Sequence, residues 1–133
     1  MKFLLDTNIC VHYLRGNFGL IDILDAQKKS ISALSELTAA ELLYVAEYGR
    51  EPEASKRLVQ DFLSEFIIIK IGLAIPIYAR EKARLRRAGL KISDFDLLIG
   101  CTAIQNDLIM VTENLKDFKR ISDLTIENWV DRN

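Results

Sequence analysis

The sequence predicts an α/β fold in which a mostly parallel β-sheet carries helices on both faces. Short runs rich in Leu, Ile and Val alternate with longer amphipathic segments, as expected when strands alternate with helices. The first run, residues 3–5, ends directly on Asp6. A continuous apolar run indicates a strand buried on both faces. Asp6 is therefore expected at the carboxyl edge of the sheet, where ligands and catalytic groups collect.

Length and composition indicate a single domain over residues 1–133. Half of the residues are hydrophobic, 28% are charged and the formal net charge is -1. Nucleic-acid binding would therefore need a local basic patch. Cys10 and Cys101 lie in apolar helical patterns and predict reduced core thiols in a cytoplasmic protein. No apolar run approaches the roughly 20 residues of a membrane span, so we expect no membrane insertion.

After the opening strand, the first half of the chain predicts two short helices, a weak strand and two longer helices. Thr7 or Asn8 suits the N-cap of the first helix, and Ser35 or Thr38 suits that of the third. A glycine ends the third helix, and Pro52 opens the fourth. The predicted helices span residues 8–14, 20–26, 35–48 and 52–64, and the weak strand spans residues 31–33.

The second half of the chain predicts three strands and two further helices. Residues 66–71 are rich in β-branched side chains and predict a strand. Pro76 suits the first turn of a helix that Gly89 ends, and Ser93 suits the N-cap of the next helix. The helices span residues 73–88 and 94–106, the other strands span residues 108–111 and 124–126, and residues 112–119 form a loop or short helical turn.

Several polar residues are expected along one edge of this sheet. Asp6 ends the first strand, two more candidates follow the strand at 108–111, and the others lie near helix starts. Helix N-termini share the carboxyl edge of a parallel sheet, so these side chains should converge. The candidates are Asp6, Glu41, Asp94, Asp96, Asn114 and Asp117.

Converging carboxylates predict a metal site. Closely packed carboxylates repel one another, and a hard divalent cation relieves that repulsion. Mg²⁺ and Mn²⁺ prefer oxygen ligands, and the waters that Mg²⁺ keeps can become nucleophiles. The predicted chemistry is metal-assisted hydrolysis of a phosphodiester.

Each candidate also has a purely structural interpretation. Asp6 can serve only as the cap of the next helix. Ser93 and Asp96, like Thr38 and Glu41, have the spacing of a capping box, in which the acid only fixes a helix N-terminus. Asp94 can interact only with the helix dipole, and Asp117 can be a solvated loop acid. His12, the only histidine, is expected to be a partly buried helix residue and not a catalyst.

A basic surface is predicted just before Asp94 and Asp96. Four cations recur at helical spacing and share one face if the helix extends that far. A solvated helix face explains this pattern, and so does a surface that tracks a phosphate backbone beside the acidic edge. The four residues are Arg80, Arg84, Arg87 and Lys91.

Four segments add a more specific signal. They are Phe-Leu-Leu-Asp-Thr-Asn at 3–8, Ser-Glu-Leu-Thr-Ala-Ala-Glu at 35–41, Ser-Asp-Phe-Asp at 93–96 and Val-Thr-Glu-Asn-Leu-Lys-Asp-Phe at 111–118. In this order and spacing the chain resembles PIN-domain ribonucleases, specifically the toxin of VapBC-type (type II) toxin–antitoxin pairs. The likeness spans nearly the full length. Gly100 differs from the Ala more common there, and it keeps room for close helix packing.

This resemblance implies a PIN fold and a Mg²⁺- or Mn²⁺-dependent endoribonuclease. Asp6, Glu41 and Asp96 would form the acidic core, with Asp6 and Asp96 as direct metal ligands. Asn114 or Asp117 would be the fourth site residue, which the sequence leaves open. The supporting residues would be Asn8, Asp94, Thr112 and Asn114, and the RNA-binding residues would be Arg80, Arg84, Arg87 and Lys91.

The resemblance also implies partners. The substrate would be a tRNA, rRNA or mRNA, and a cognate VapB-like antitoxin would lay its tail across the acidic groove and offer an arginine. A homodimer would form through apolar residues of the helices at 35–48 and 52–64. Three alternatives stay open: a PIN nuclease in RNA processing without an antitoxin, a catalytically silent PIN binding module, and a phosphate-accepting receiver domain. A receiver needs an acidic pair after its first strand, and Asp6-Thr7 lacks one.

Overall fold

The computed structural model describes the backbone of residues 1–133 and every side chain except that of Gln27. Five strands form one sheet in the order β3-β2-β1-β4-β5, and every neighbouring pair is parallel. The α/β prediction is confirmed, and the sheet is parallel throughout. The strands are β1 (Phe3–Leu5), β2 (Ser32–Ser35), β3 (Ile67–Ile69), β4 (Ile109–Val111) and β5 (Ile126–Glu127).

Helices connect the strands and cover both faces of the sheet. The α-helices are α1 (Thr7–Leu14), α2 (Leu20–Ile23), α3 (Glu36–Tyr48), α4 (Pro52–Leu63), α5 (Ile75–Arg87), α6 (Asp94–Gln105) and α7 (Leu115–Phe118). A wide π-helical turn (Leu24–Lys28) and a 3₁₀ turn (Lys29–Ile31) follow α2, and another 3₁₀ turn (Gly72–Ala74) precedes α5.

The core has two halves, one on each face of the sheet. Side chains alternate along β1, so Phe3 and Leu5 pack with α1, α3 and α4, whereas Leu4 packs with α5 and α6. Both cysteines are buried free thiols, as expected. Gly100 allows close packing, because a Cβ there would lie 2.6 Å from the Ile121 side chain.

Element boundaries differ from the prediction where tertiary pairing decides them. β2 lies later than residues 31–33 because Ala33 to Ser35 pair with β3. β3 is shorter than residues 66–71, and as an edge strand it leaves Ile67 and Ile68 exposed. The helix expected at 20–26 stops being α-helical after Ile23. The N-cap of α1 is Asp6, which replaces Thr7 or Asn8 in that role.

The strand order places a crevice beside β1. The chain builds β2 and β3 on one side of β1, then returns to build β4 and β5 on the other. The carboxyl ends of β1 and β4 therefore flank the point where the topology switches direction, which is the usual ligand position in open α/β sheets.

Among the described residues, no helix combines the length and apolar character that crossing a bilayer requires.

Candidate active site

Asp6 is fixed at the switch point by its backbone and by its side chain. Its N–H donates to the Val111 carbonyl at 2.8 Å, which extends the β1–β4 pairing by one residue. Its Oδ1 accepts from the Thr7 N–H at 2.8 Å and caps α1. Its Oδ2 accepts from the Thr112 hydroxyl at 2.7 Å. Asp6 is thus a helix cap and a nearly buried carboxylate facing the crevice, only 3% exposed.

Polar side chains after β1 and β4 form a network around Asp6. The Asn8 side-chain amide donates to Asp6 Oδ2 at 3.1 Å and also lies within 3.4 Å of the Thr112 hydroxyl. Thr112 Oγ1 accepts from the Asn114 N–H at 2.9 Å. The contact between Asn8 and Thr112 joins residues 104 positions apart, and the network holds the Asp6 carboxylate in one orientation.

Glu41 reaches the same crevice from α3. Ser35, not Thr38, caps α3 through its hydroxyl and the Leu37 N–H, and Thr38 is buried inside the helix. The capping-box interpretation of Glu41 is therefore wrong. Instead, the Thr7 hydroxyl donates to Glu41 Oε1 at 2.7 Å.

Asp96 combines a structural position with a place in the crevice. Its N–H donates to the Ser93 hydroxyl at 3.2 Å, so Ser93 caps α6 as expected. Its half-buried side chain nevertheless faces a cavity of about 340 Å³, within the range of ligand sites. We call this the acidic cavity; its lining residues are Asp6, Thr7, Asn8, Val11, His12, Glu41, Asp96 and Asn114.

The carboxylates of this site influence one another. Burial raises the pKa of Asp6 to about 6, against the hydrogen bonds from Thr112 and Thr7, and the charges of Asp96 and Glu41 raise it further. Burial also raises the pKa of Asp96, and the charge of Asp117 adds to that effect. Four acids from four parts of the chain thus share one electrostatic environment.

Asn114 and Asp117 are the two candidates for the fourth site residue, and they have different places in the structure. Asn114 lines the acidic cavity, and its side-chain amide donates to Asp117 Oδ2 at 3.1 Å. Arg120 lies 3.9 Å from the other Asp117 oxygen. Asp117 is therefore held one step behind Asn114, although its charge still reaches Asp96.

Asp94 does not line the acidic cavity. Its carboxylate accepts from Lys82 Nζ at 2.7 Å and from the Tyr78 hydroxyl at 2.9 Å, and these contacts lower its pKa. Residues two apart on a helix point to different sides, so Asp94 and Asp96 separate. The sequence-based grouping of Asp94 with the acidic site is corrected by this placement.

The predicted basic stripe is broken in the structure. Helix α5 ends at Arg87, and Gly89 has a left-handed φ of 72°, so Lys91 lies beyond the helix face. Arg84 makes two hydrogen bonds to Glu81 and donates to the Arg120 carbonyl at 2.6 Å. Arg80 and Arg87 are exposed. The four cations therefore do not share one helix face, and one of them, Arg84, is paired with an acid.

His12 was not predicted as a site residue, yet it lines the acidic cavity. As expected it is partly buried, with 16% of its side chain exposed. Its Nε2 lies 3.0 Å from Glu113, whose carboxylate also accepts from Arg132. Asn8 and His12 are four residues apart on α1, and this spacing places both on one helix face. That spacing was the signal available in the sequence.

The donor chemistry of the cavity suits a hard cation. Carboxylate, amide and hydroxyl oxygens are the ligands that Mg²⁺ and Mn²⁺ prefer. Among the described side chains, no three His, Cys, Asp or Glu residues already form a tight coordinating cluster.

Comparison with known proteins agrees with this arrangement. A family model described as "PIN domain" matches residues 3–124. The chain belongs to the PIN-domain family. The ribonuclease VapC2 of Rickettsia felis is 34% identical, and the match covers 97% of this chain and 98% of that protein. The tRNA(fMet)-specific endonuclease VapC of Shigella flexneri is 29% identical, with 97% and 98% covered. The chain is thus a VapC-type PIN domain.

Solved structures of the PIN-domain family include full-length matches to this fold. The DNA-bound VapBC complex of Salmonella typhimurium contains a chain with a TM-score of 0.91 and 30% identity, covering 97% of this chain and 98% of that one. VapBC2 of Rickettsia felis, bound to a promoter DNA fragment, gives a TM-score of 0.88 and 32% identity, with 97% and 99% covered. Both are VapBC complexes by name.

Proposed function

We propose that this PIN domain is the toxin of a VapBC-type pair and hydrolyses RNA phosphodiester bonds with Mg²⁺ or Mn²⁺. The observation that carries the proposal is the acidic cavity, in which Asp6, Glu41 and Asp96 converge from three elements at the topological switch point. The VapC ribonucleases that resemble the whole chain support the same reaction class.

Asp6 and Asp96 would hold the cation, with Glu41 completing the acidic core and Asn114 and Asp117 supporting it as a hydrogen-bonded pair. A cation bound there supplies an acidified water and offsets charge on the attacked phosphate. The pKa of Asp6, about 6, lies below neutral pH, so Asp6 is mainly ionised and able to bind a cation at pH 7.

The chain's own groups orient the reactants. Thr112, Asn8 and the Thr7 N–H fix both oxygens of Asp6, so the ligand geometry is set before substrate arrives. The Thr7 hydroxyl holds one oxygen of Glu41 and leaves the other for a water or its proton. His12 lies at the wall of the same cavity, on Glu113.

The substrate would be a tRNA, rRNA or mRNA, and the name of the Shigella flexneri relative makes tRNA the first class to test. Exposed Arg80 and Arg87 stay proposed contacts to the RNA backbone. Such an enzyme would act in the cytoplasm.

An antitoxin segment has a matching surface beside the cavity. An apolar groove of about 350 Å³ runs between α1, α3 and α4, and Val11 lines both this groove and the acidic cavity. We propose that an apolar antitoxin segment lies in the groove and that its continuation brings an arginine to the acids. The remaining apolar lining residues include Leu14, Leu42, Val45 and Leu58.

The groove changes the expected dimer interface. The sequence predicts a homodimer through the helices at 35–48 and 52–64, and Val45 and Leu58 of these helices line the apolar groove. A second exposed apolar surface surrounds the edge strand β3, with Ile67, Leu73 and Ile75 each at least half exposed. We propose that the homodimer forms there.

The decisive experiment compares purified wild type, Asp96→Asn and the control Asp61→Asn on a labelled tRNA pool with Mg²⁺, with Mn²⁺ and with EDTA. Asp61 is exposed on α4, outside the cavity. We expect Asp96→Asn to cut at least about 100-fold more slowly and EDTA to stop cleavage, with Asp61→Asn unchanged. RNA ends mapped after brief expression of the same proteins would identify the cleavage site.

The alternatives give different results in these assays. A silent binding module would bind RNA, but neither wild type nor the variants would produce new RNA ends. Cleavage that persists in Asp96→Asn would contradict the metal-ligand assignment. A processing nuclease would cleave, but co-expression of the neighbouring VapB-like protein would leave its activity unchanged.

A further inference from the structure

A second pocket lies next to the acidic cavity and has no part in the chemistry described so far. It has a volume of about 480 Å³ and lies between the second half of α5 and the start of α6. Leu85 and Leu97 form its buried floor, and partly exposed Leu90 forms a wall. Three cations, Lys82, Arg86 and Lys91, also line it, and we call it the basic pocket.

The charges of the basic pocket are only partly neutralised. Its one acid, Asp94, pairs with Lys82 at 2.7 Å and accepts from Tyr78. In the part of the chain that the structure describes, Arg86 and Lys91 have no carboxylate within salt-bridge distance, and both are exposed. Two uncommitted cations above an apolar floor suit a ligand that is anionic at one end and flat and apolar at the other.

The basic pocket and the acidic cavity both reach the first turn of α6, from different sides of the helix. Asp94 lines the first and Asp96 lines the second, and a single residue separates them at the start of α6. Arg120 forms a second link, because it donates to the Lys91 carbonyl at 2.6 Å and lies 3.9 Å from Asp117. A strand with one phosphate at the acidic cavity would pass around the first turn of α6 to reach the basic pocket.

We propose that the basic pocket binds a nucleotide of the substrate RNA strand, on the other side of the first turn of α6 from the scissile phosphate. Exposed Leu90 contacts the base or ribose above the buried floor of Leu85 and Leu97, and Arg86 with Lys91 binds the phosphate. This assignment rests on the proposed function, since the acidic cavity must hold the scissile phosphate. It adds Arg86 to the cations proposed to contact RNA, whereas Arg84 is paired with Glu81.

The test measures binding of a fluorescein-labelled single-stranded RNA of about 12 nucleotides in EDTA, where cleavage does not interfere. Arg86→Ala/Lys91→Ala is compared with Arg57→Ala/Lys70→Ala, which removes the same charge from exposed positions elsewhere. We expect about tenfold weaker binding for the pocket variant and a fall of about 1.4 in the slope of log affinity against log salt. The control variant should match wild type.

A third variant distinguishes a nucleotide from a bare anion. Leu90→Gln changes a wall of the pocket but no charge, so binding should weaken severalfold while the salt slope stays constant. RNA carrying 4-thiouridine should cross-link to residues 85–92. Thermal unfolding of each variant identifies any variant that fails to fold. In that case the 4-thiouridine cross-link in the wild-type protein tests the assignment without that variant.

Three outcomes would overturn the assignment: a pocket variant that binds and cleaves like its control, cross-links only outside residues 85–92, or displacement of an acidic peptide instead of RNA from the pocket. If a free nucleoside monophosphate bound as tightly as the RNA strand, the pocket would not be a site for part of the substrate strand. Absence of cleavage by wild type with Mg²⁺ would instead refute the proposed function, while the binding comparison still decides whether the pocket takes RNA.

Discussion

Asp6 is both the N-cap of α1 and a carboxylate of the acidic cavity. One oxygen caps α1, and the other accepts hydrogen bonds from Thr112 and Asn8. Because it is buried among other acids, its ionised form is costly in the absence of a cation. Stability and metal binding therefore oppose one another at this residue, a trade-off common at functional sites.

The first prediction concerns stability without metal. The folded-state pKa of Asp6 is raised from 3.8 to about 6, so the folded protein binds the extra proton between these values. Its contribution to stability consequently falls as pH rises through that window. At pH 7.5 in EDTA, Asp6→Asn should raise the free energy of unfolding by about 1–3 kcal/mol relative to wild type. The gain should vanish near pH 4, and urea denaturation at both pH values checks it.

A less stable Asp6→Asn protein at pH 7.5 would contradict this electrostatic explanation. The same variant should lose Mg²⁺-dependent cleavage, so gain of stability and loss of activity are expected together. Asp61→Asn, exposed on α4, should change neither property.

The second prediction concerns the Thr112 hydroxyl. Its hydrogen bond to Asp6 favours the ionised carboxylate and lowers the Asp6 pKa. Thr112→Val should therefore raise that pKa and move the acidic limb of the cleavage–pH profile upward by about one unit. Thr102→Val, which removes another buried hydroxyl bonded to the Leu98 carbonyl, should leave the profile in place. A matching shift in both variants would show a general packing effect.

At the scale of elements, α5 has one face that holds the fold and another that is free to bind. Glu81 is only 5% exposed, and it accepts from Arg84 and from the Ser122 N–H. The hydrogen bond from the Ser122 N–H to Glu81 holds α5 against the segment after α7. Arg86, by contrast, is exposed at the basic pocket.

The third prediction separates these faces by stability. Arg84→Ala leaves the buried Glu81 carboxylate without its cation and should cost about 2–3 kcal/mol in the free energy of unfolding. Arg86→Ala on the same helix should cost less than about 0.5 kcal/mol, because its side chain is exposed. Chemical denaturation of the two variants tests this, and equal losses would refute the structural role given to Arg84.

At the scale of the whole molecule, the sheet brings together residues that are distant in sequence. The acidic cavity collects groups from β1, α3, α6 and the segment after β4, since all lie at the carboxyl edge of one parallel sheet. Exposed apolar side chains also lie in the groove of α1, α3 and α4 and around β3. Exposed apolar patches of this kind mark interaction sites.

The fourth prediction assigns one partner to each surface. Leu58→Glu should weaken binding of the VapB-like partner at least about tenfold and leave the homodimer intact, because Leu58 lines the apolar groove. Leu73→Glu should instead convert the dimer to a monomer, because Leu73 is 77% exposed near β3. Light scattering measures the mass of each variant, and calorimetry measures partner binding. The opposite pattern would exchange the two assignments.

The sequence by itself determined the alternation of strands and helices, the cap at Ser93 and the position of Asp6 after a buried strand, and it offered Ser35 as one of two caps for α3. Periodicity, capping residues and glycines act over a few neighbours, so they can be recognised without a structure. The ordered motifs also predicted the family to which the PIN-domain match assigns the chain.

Only the tertiary structure decided which charged side chains face the site. Asp94 and Asp96 look alike in sequence, yet Lys82 engages one while the acidic cavity holds the other. Arg84 likewise does not act as a free cation of the predicted basic stripe, because it donates a hydrogen bond to buried Glu81. These outcomes depend on partners brought from distant parts of the chain and on the water they exclude, neither of which a local pattern records.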